Sequence, residues 1–174
     1  MIKLKLLPVF VLLTGLYTYG QSPVTLKAFK QTVMPGTVPV VISENASRST
    51  PIKQKPSTNY YLYLIFSPNE AILPLQVWIQ QKAYKVTVEP VTSTPVEHIN
   101  RNIPTRPVTT VLVPKTRNKV IRLLQASPAD TAPSSATLRK LVNANEVVVT
   151  YKQKGKVYQK ALQKITELEP EMAE

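Results

Sequence analysis

The chain has 174 residues, of which 43% are hydrophobic, and it contains no cysteine. The hydrophobic fraction argues against global disorder. The absence of cysteine excludes disulfides, thiol nucleophiles, cysteine-ligated metals and the acylated cysteine of bacterial lipoproteins. Lysine and arginine number 22 against 10 acidic residues, a formal net charge of +12. Such an excess favours anionic partners such as lipopolysaccharide, phospholipid headgroups, acidic glycans or nucleic acid, although basic residues spread along the chain also serve solubility.

The first residues have the organisation of a secretory signal peptide. Lys3 and Lys5 supply a positive start, residues 6–16 form an almost unbroken apolar run, and Gly20 ends a small-x-small exit. This run is well short of the ~20 residues that a membrane-spanning helix needs. We therefore predict cleavage near Gly20-Gln21 and export to the periplasm or the exterior of a bacterial cell, with no transmembrane segment in the mature chain.

Alternating apolar residues predict strands from the start of the mature chain. Residues 24–33 alternate and end at a Met-Pro-Gly turn, and residues 38–42 form a second, short apolar piece. Residues 43–58 are polar, proline-punctuated and without a period, which predicts a long surface loop. Residues 60–66 are apolar on both faces and rich in tyrosine, so they predict a central strand.

A hairpin is predicted next. Leu75, Val77 and Ile79 alternate with polar or aromatic neighbours, and residues 84–88 supply the partner strand after a short connection. Residues 89–107 contain four prolines and predict a crossover loop or a partly extended edge, not a helix.

The C-terminal half predicts further strands and a single helix. Residues 109–113 and 119–124 predict strands, and residues 127–135 predict a loop. Ser134 or Ser135 could cap a short helix that runs through Val142, because residues 136–141 contain good helix formers.

The clearest local prediction is a hairpin at Lys154-Gly155. Residues 146–153 and 156–161 flank this pair, and Gly155 can adopt the positive φ that a tight hairpin turn requires. The spacing of residues 162–168 fits either a strand or a helical turn. The tail from Pro170 is expected to fray.

These elements predict an all-β fold with about seven or eight short strands and one short helix near the C-terminal third. The expected architecture is an antiparallel β-sandwich with an immunoglobulin-like arrangement of its strands. The predicted organisation is a signal peptide (1–20), a single β-sandwich domain (21–168) and a flexible acidic tail (169–174).

The sequence offers little for catalysis. His98 and Asp130 are the sole histidine and aspartate, and each lies in a proline-rich stretch. No nucleophile elbow, zinc-protease motif or phosphate-binding glycine loop is present. Glu97-His98 could contribute to a metal site, but such a pair is far more often an exposed loop feature. We therefore predict no catalytic, cofactor-binding or metal-ligating residue and no cofactor.

Aromatic residues are the candidate contact residues. Trp78 shares a strand face with Gln76 and Gln80, so we expect it to be half exposed and to contact a partner. Tyr60, Tyr61 and Tyr63 crowd one strand, and tyrosine suits the recognition of sugars or proteins. The competing interpretation places these tyrosines in the core and on the sheet surface.

The leading functional hypothesis is an exported, non-catalytic binding or structural component of a bacterial cell envelope. Its partner would be another envelope protein or an anionic surface polymer, since export argues against nucleic acid. One alternative is a small exported hydrolase or lyase acting on cell-wall or extracellular polysaccharide, which needs His98 or Asp130 gathered with a glutamate. Another is an adhesin or pilus-type subunit that donates residues 24–33 as a strand.

Overall fold

The structure is a computed structural model that describes residues 24–35, 55–100 and 107–172. In these ranges the chain forms, in order, β1 (Thr25–Met34), β2 (Ser57–Phe66), β3 (Ile72–Ile79), β4 (Lys82–Pro90), β5 (Val96–Asn100), β6 (Val108–Val113), β7 (Lys119–Ala129), α1 (Ala136–Ala144), β8 (Val147–Gln153), β9 (Lys156–Leu162), β10 (Thr166–Glu167) and β11 (Glu171–Met172). The predicted signal peptide, the apolar piece at 38–42 and most of the loop expected at 43–58 lie outside the described residues.

Most of the described strands belong to one sheet. Its order is β10-β1-β2-β7-β4-β3-β8-β9, and β11 also pairs with β1. The pairs are antiparallel except where β10 and β11 run parallel to β1. The sheet curls until β9 approaches β1, and the chain then continues from β9 into β10 along the edge of β1. The predicted all-β class with one short helix is confirmed. The immunoglobulin-like sandwich is not confirmed, because these strands follow one another in a single curled sheet.

The main core lies inside the curl. Successive side chains of a strand point to opposite faces, so one alternate row of each strand faces inward. The inward rows include Leu26 of β1, Leu62 and Leu64 of β2, Val77 of β3 and Leu123 of β7, all buried in one cluster. Because each strand contributes only alternate residues, the same strands have a second row that faces outward.

Two further layers cover parts of that outer face. Strands β5 and β6 pair only with each other among the described strands and pack on β1, β2 and β7, where Phe29, Tyr63 and Leu112 are buried. Helix α1 packs on β3, β4 and β8, with Leu138 and Val142 on its buried side. The outward-facing residues beneath these layers are therefore as buried as those of the main core.

The predicted hairpins are confirmed. Ile79 pairs with Lys82 through Gln80 and Gln81, which adopt φ values of 48° and 68°. Gln153 pairs with Lys156 through Lys154 and Gly155, at φ values of 48° and 80°. Two consecutive left-handed residues match the right-handed twist of the flanking strands, which is why such turns close two-residue hairpins. The first hairpin achieves this conformation without a glycine.

The helix begins where the sequence indicates. The Ser135 hydroxyl accepts a hydrogen bond from the backbone amide of Leu138 at 3.1 Å, as an N-cap residue does. At the other end, the side-chain amide of Asn145 donates to the carbonyl oxygen of Leu141 at 2.8 Å. Both ends of α1 thus have side-chain partners.

Several segments differ from the expectations. Strand β7 continues to Ala129, into the predicted loop, because β4 pairs with it along that length. A bulge between Pro74 and Gln76 leaves Leu75 exposed, outside the row of Val77 and Ile79. The prolines of 89–107 do not prevent β5 from forming.

The C-terminal tail is attached to the sheet as far as it is described. Residues 166–167 are extended in β10, and Leu168 is buried. Instead of fraying from Pro170, the chain pairs again with β1 at Glu171 and Met172 in β11. The edge of β1 offers hydrogen-bonding groups over its whole length, so a short acidic segment can pair there.

Candidate functional site

Strands β2 and β7 pair with each other over only about half of their length. They pair from Leu62↔Leu123 to Phe66↔Lys119 and no further. Beyond that point β2 continues beside β1 alone, and β7 continues beside β4 alone. Residues 57–61 of β2 and 124–129 of β7 therefore face each other with edges that no described strand pairs. We call this gap the β2–β7 cleft.

The cleft has a volume of about 370 Å³. Its walls come from four consecutive residues of β2 and three residues near the centre of β7: Thr58, Asn59, Tyr60, Tyr61, Arg122, Leu124 and Gln125. Consecutive residues of β2 can line it because the wall is the edge of the strand and not one of its faces. Backbone hydrogen-bonding groups and polar side chains therefore lie along the same wall of the cleft.

Arg122 lies at the closed end of the cleft. Its guanidinium carbon lies 5.5 Å from the centre of the Tyr61 ring, a cation–π distance. Its Nη1 lies 3.7 Å from Oε2 of Glu89, which faces it across the β4–β7 pair. The Arg122 Nε is buried and has no hydrogen-bond partner among the described residues. The guanidinium is thus held in place while one of its donors is unused.

Gln125 contributes a second unused donor. Its Nε2 is also buried without a hydrogen-bond partner in the described part of the chain. A buried donor left unsatisfied costs about 1–3 kcal/mol. The two donors lie on opposite faces of β7, because Arg122 pairs with Glu89 on the outer face and Gln125 pairs with Val86, which packs on the main core.

The two tyrosines of the cleft have different partners. The Tyr60 hydroxyl donates to Oε1 of Gln80 at 3.4 Å, and the Tyr61 hydroxyl donates to Oε1 of Gln31 at 3.1 Å. Burial raises the pKa of Tyr61, Glu171 raises it further, and Arg122 opposes them. Burial, followed by the influence of Tyr84, raises the pKa of Tyr60. Both hydroxyls therefore remain protonated donors at neutral pH.

A buried polar cluster lies behind Tyr61. Gln31 is fully buried, and its side-chain amide donates to Nε2 of His98 at 3.0 Å and to the carbonyl oxygen of Glu169 at 3.2 Å. Asn100 is also buried, and its amide donates to the carbonyl oxygen of Pro170 at 3.0 Å. The cluster connects β1, β2 and β5 to the segment that leads into β11.

The sole histidine belongs to this cluster. The His98 ring centre lies 5.3 Å from that of Tyr61, and its ring nitrogen accepts from an amide. Within residues 24–35, 55–100 and 107–172, no group of three or more His, Asp or Glu side chains could hold a metal ion. The arrangement around His98 is that of a packing and hydrogen-bonding residue.

The predicted contact residues divide into two pairs. Tyr60 and Tyr61 are half-buried and line the cleft. Trp78 is 3% exposed beneath α1, so the expectation of a half-exposed tryptophan is wrong. Tyr63 is likewise 3% exposed, in the cluster beneath β5 and β6. Both lie on the outward face of the sheet, but layers distant in sequence cover them.

Sequence reasoning missed Arg122, Gln125 and Gln31. The position of Arg122 depends on its pairing with Tyr63 on one side and Glu89 on the other. Neither relationship has a local sequence signal.

Comparison with protein-family models, curated proteins and solved structures found no match. In the described ranges, no helix has the length and apolar character that crossing a bilayer requires.

Proposed function

We propose that this protein is exported by the signal peptide of residues 1–20 and acts as a non-catalytic binding component of a bacterial cell envelope, with the β2–β7 cleft as its contact site. The observation that supports the proposal most is that residues 57–61 of β2 and 124–129 of β7 each have an edge that no described strand pairs, at a cleft that Arg122 also lines. Strand edges without a described partner favour an external segment that pairs with them.

Another envelope protein fits the cleft better than an anionic polymer. Among the described residues that line it, Arg122 is the one cationic side chain, and Glu89 already lies beside that charge. A polyanion is held by many cations in a row. The free backbone groups of β2 and β7 instead favour a partner with its own directional backbone donors and acceptors.

A non-catalytic role agrees with the surroundings of His98. Among the described residues, its hydrogen-bond partner is the Gln31 amide, and no carboxylate pairs with it. Asp130 lies exposed after the end of β7. A polysaccharide hydrolase or lyase built on either residue gains no support from these contacts.

A pilus-type or adhesin role through donation of residues 24–33 gains none either. Strand β1 pairs with β2 on one edge and with β10 and β11 on the other. A strand already paired on both edges is not free to complete a neighbouring subunit.

The absence of cysteine makes a direct test simple. Leu124 lines the cleft and is 36% exposed, so Leu124→Cys can carry a maleimide-linked photo-crosslinker. Val111→Cys, on β6, is the control because Val111 is similarly exposed at 49% and does not line the cleft. We expect one discrete envelope protein to be captured from position 124 in native envelope preparations, and not from position 111.

A matched substitution controls for chance capture. Adding Arg122→Gln to the Leu124→Cys protein should abolish the crosslink, whereas adding Arg117→Gln, an exposed arginine in the turn before β7, should not. Equal capture from positions 111 and 124, or capture that is insensitive to Arg122→Gln, would contradict the proposal. Export is tested by mass spectrometry of the periplasmic protein, which should begin at Gln21.

A further inference from the structure

We infer that the outer face of the sheet beside the β8–β9 turn docks on an anionic phospholipid bilayer, with exposed apolar side chains of β3 and β9 entering the headgroup region and lysines contacting the phosphates. The inference goes beyond the proposed function, because this surface shares no residue with the β2–β7 cleft and needs no protein partner.

A row of residues across three neighbouring strands carries this surface. Leu73 of β3 pairs with Lys152 of β8, and Lys152 pairs with Val157 of β9, so the three side chains lie side by side. The row is on the outer face of the sheet, because Tyr151, the residue before Lys152, belongs to the main core and successive side chains alternate. A basic residue therefore lies between two apolar residues on a face that points away from the core.

Two more exposed residues adjoin the row. Leu75 lies at the bulge of β3 and is 44% exposed. Lys85 of β4 is exposed and pairs with Gln76, the residue after the bulge. Lys85 lies on the outer face because Tyr84, the residue before it, packs against the main core. We call this surface the β3–β9 patch, and its members are Leu73, Leu75, Lys85, Lys152 and Val157.

The apolar members of the patch are unusually open to solvent. Leu73 is 58% exposed and Val157 is 60% exposed. A singly exposed apolar residue is ordinary on a protein surface, whereas adjoining ones that are rimmed by polar residues mark an interaction site. The aliphatic stem of Lys152 lies between these two residues, and a lysine stem can be buried among apolar groups while its ammonium reaches a polar layer.

The charges of the patch are available to a partner. Neither Lys85 nor Lys152 forms an ion pair with any described residue. Glu70, in the loop before β3, is 13% exposed and is already bound to Lys154. The free charges of the patch are therefore positive.

The turn beside the patch is held in place. Lys154 donates to one carboxylate oxygen of Glu70 at 2.9 Å, and Gln153 donates to the other at 3.0 Å. On the inner face, the rings of Tyr151 and Tyr158 stack at 5.8 Å. Because β3, β8 and β9 are fixed to one another, the patch needs little ordering when it binds, and preorganisation of this kind favours affinity.

A bilayer matches this combination of groups better than the competing occupants do. Anionic headgroups attract lysines while the acyl boundary beneath them accepts apolar side chains, and peripheral proteins use both contributions together. A soluble polyanion would use Lys85 and Lys152 but would leave Leu73 and Val157 in water. A second copy of this chain would bring like charges onto the patch.

The described surface also offers a matched comparison. Ile99 of β5 is 46% exposed and Val111 of β6 is 49% exposed. Glu97, which pairs with Val111, is the charged residue beside them. These two residues have similar apolar exposure without the lysines, so they serve as the control for the β3–β9 patch.

Vesicle partitioning of the exported protein tests the inference. One set of vesicles contains equal parts of phosphatidylglycerol and phosphatidylcholine, and the other contains phosphatidylcholine alone. We expect partitioning onto the anionic vesicles to be at least about tenfold stronger, because each lysine near an anionic surface contributes. High salt should reduce it.

Paired variants separate the apolar and basic contributions. Leu73→Ser with Val157→Thr should weaken partitioning onto the anionic vesicles at least about tenfold, and Ile99→Ser with Val111→Thr should leave it unchanged. Lys85→Gln with Lys152→Gln should weaken it by a similar factor. The control for charge is Arg139→Gln with Lys140→Gln, two exposed residues of α1.

A label at the patch measures insertion directly and does not depend on the stability of the apolar variant. The chain has no cysteine, so Val157→Cys can carry a single environment-sensitive fluorophore. Its emission should shift to the blue on the anionic vesicles and should be quenched by spin-labelled lipid. The same fluorophore on Val111→Cys should show neither change.

Each other outcome overturns the inference. Equal partitioning onto both kinds of vesicle, or onto neither, means that an anionic bilayer is not recognised. Partitioning that Leu73→Ser with Val157→Thr leaves unchanged, with no blue shift at position 157, means that diffuse charge alone holds the protein. Self-association in sedimentation without vesicles, lost in the same variant, means that a second copy covers the patch. None of these results affects capture from position 124, so the proposed function is tested separately.

Discussion

The side-chain amide of Gln31 on β1 donates a hydrogen bond to Nε2 of His98 on β5, across 3.0 Å and 67 residues of sequence. The same amide reaches the carbonyl oxygen of Glu169, and its oxygen accepts from the Tyr61 hydroxyl. One fully buried side chain thus joins the sheet, the β5–β6 layer and the C-terminal segment. The wall of the cleft that carries Tyr61 depends on this connection.

Replacing Gln31 should therefore loosen the tail as well as the fold. Gln31→Met keeps the length of the side chain but leaves the Tyr61 hydroxyl and the Glu169 carbonyl without their partner. We expect a loss of about 1–3 kcal/mol in the free energy of unfolding, measured in urea. Gln159→Met, at an exposed position of β9, is the control and should change stability little. Hydrogen exchange of the backbone amides of Glu171 and Met172 should be faster in Gln31→Met. Unchanged exchange at these residues would contradict the conclusion that Gln31 connects the C-terminal segment to the sheet.

Trp78 should behave as a core residue. It is the sole tryptophan, it is 3% exposed, and it packs beneath Leu138 and Val142 of α1. We expect its fluorescence in the native protein to be shielded from acrylamide, and Trp78→Ala to cost about 3–5 kcal/mol. Leu138→Ala removes the contact from the helix side and should make the tryptophan more accessible to acrylamide. Efficient quenching in the unaltered native protein would show that the outward face beneath α1 is open.

The turn at Lys154-Gly155 permits a test of backbone conformation alone. Gly155 has φ of 80°, and a Cβ built there meets no atom within 4 Å. The cost of Gly155→Ala is therefore conformational and should be about 1–2 kcal/mol, measured by urea unfolding. A Gly155→Ala protein as stable as the parent would contradict the left-handed turn.

Acid should weaken the contact between Glu70 and the tip of the β8–β9 hairpin. Lys154 donates to one carboxylate oxygen of Glu70 at 2.9 Å, and Gln153 donates to the other at 3.0 Å. The Lys154 and Gln153 hydrogen bonds, in that order, hold the pKa of Glu70 below its ordinary value of 4.5. A carboxyl whose pKa is lower in the folded state stabilises the fold above its unfolded pKa, and this contribution is lost as the pH falls through the folded pKa.

Glu70→Gln should therefore be less stable than the parent at pH 7, and the difference should shrink as the pH falls below 4.5. Urea unfolding across this range measures it. Glu97→Gln is the control, since Glu97 is an exposed acid with no ion pair to any described residue. A stability difference between Glu70→Gln and the parent that stays constant from pH 7 to pH 3 would contradict the hydrogen-bonded carboxylate.

The candidate site was only half predictable. Tyr60 and Tyr61 attract attention in the sequence as part of an aromatic cluster, and both line the cleft. Arg122 and Gln125 look like ordinary polar residues of a strand. They line the cleft because β7 pairs with β2 only as far as Leu123 and continues beside β4 alone. No local sequence pattern indicates where this pairing ends.

Local sequence determined the strands, the turns and the helix start, because alternation, turn residues and a serine cap act over a few residues. The hairpin at Gly155, the central strand at β2 and the cap at Ser135 all follow from such short-range preferences. Tertiary structure decided which faces of the strands are buried. Trp78 lies on the face opposite Val77 and Ile79, as the alternation indicates, but it is buried by a helix that begins at Ala136. Burial depends on what packs against a face, and the packing partner is distant in the chain.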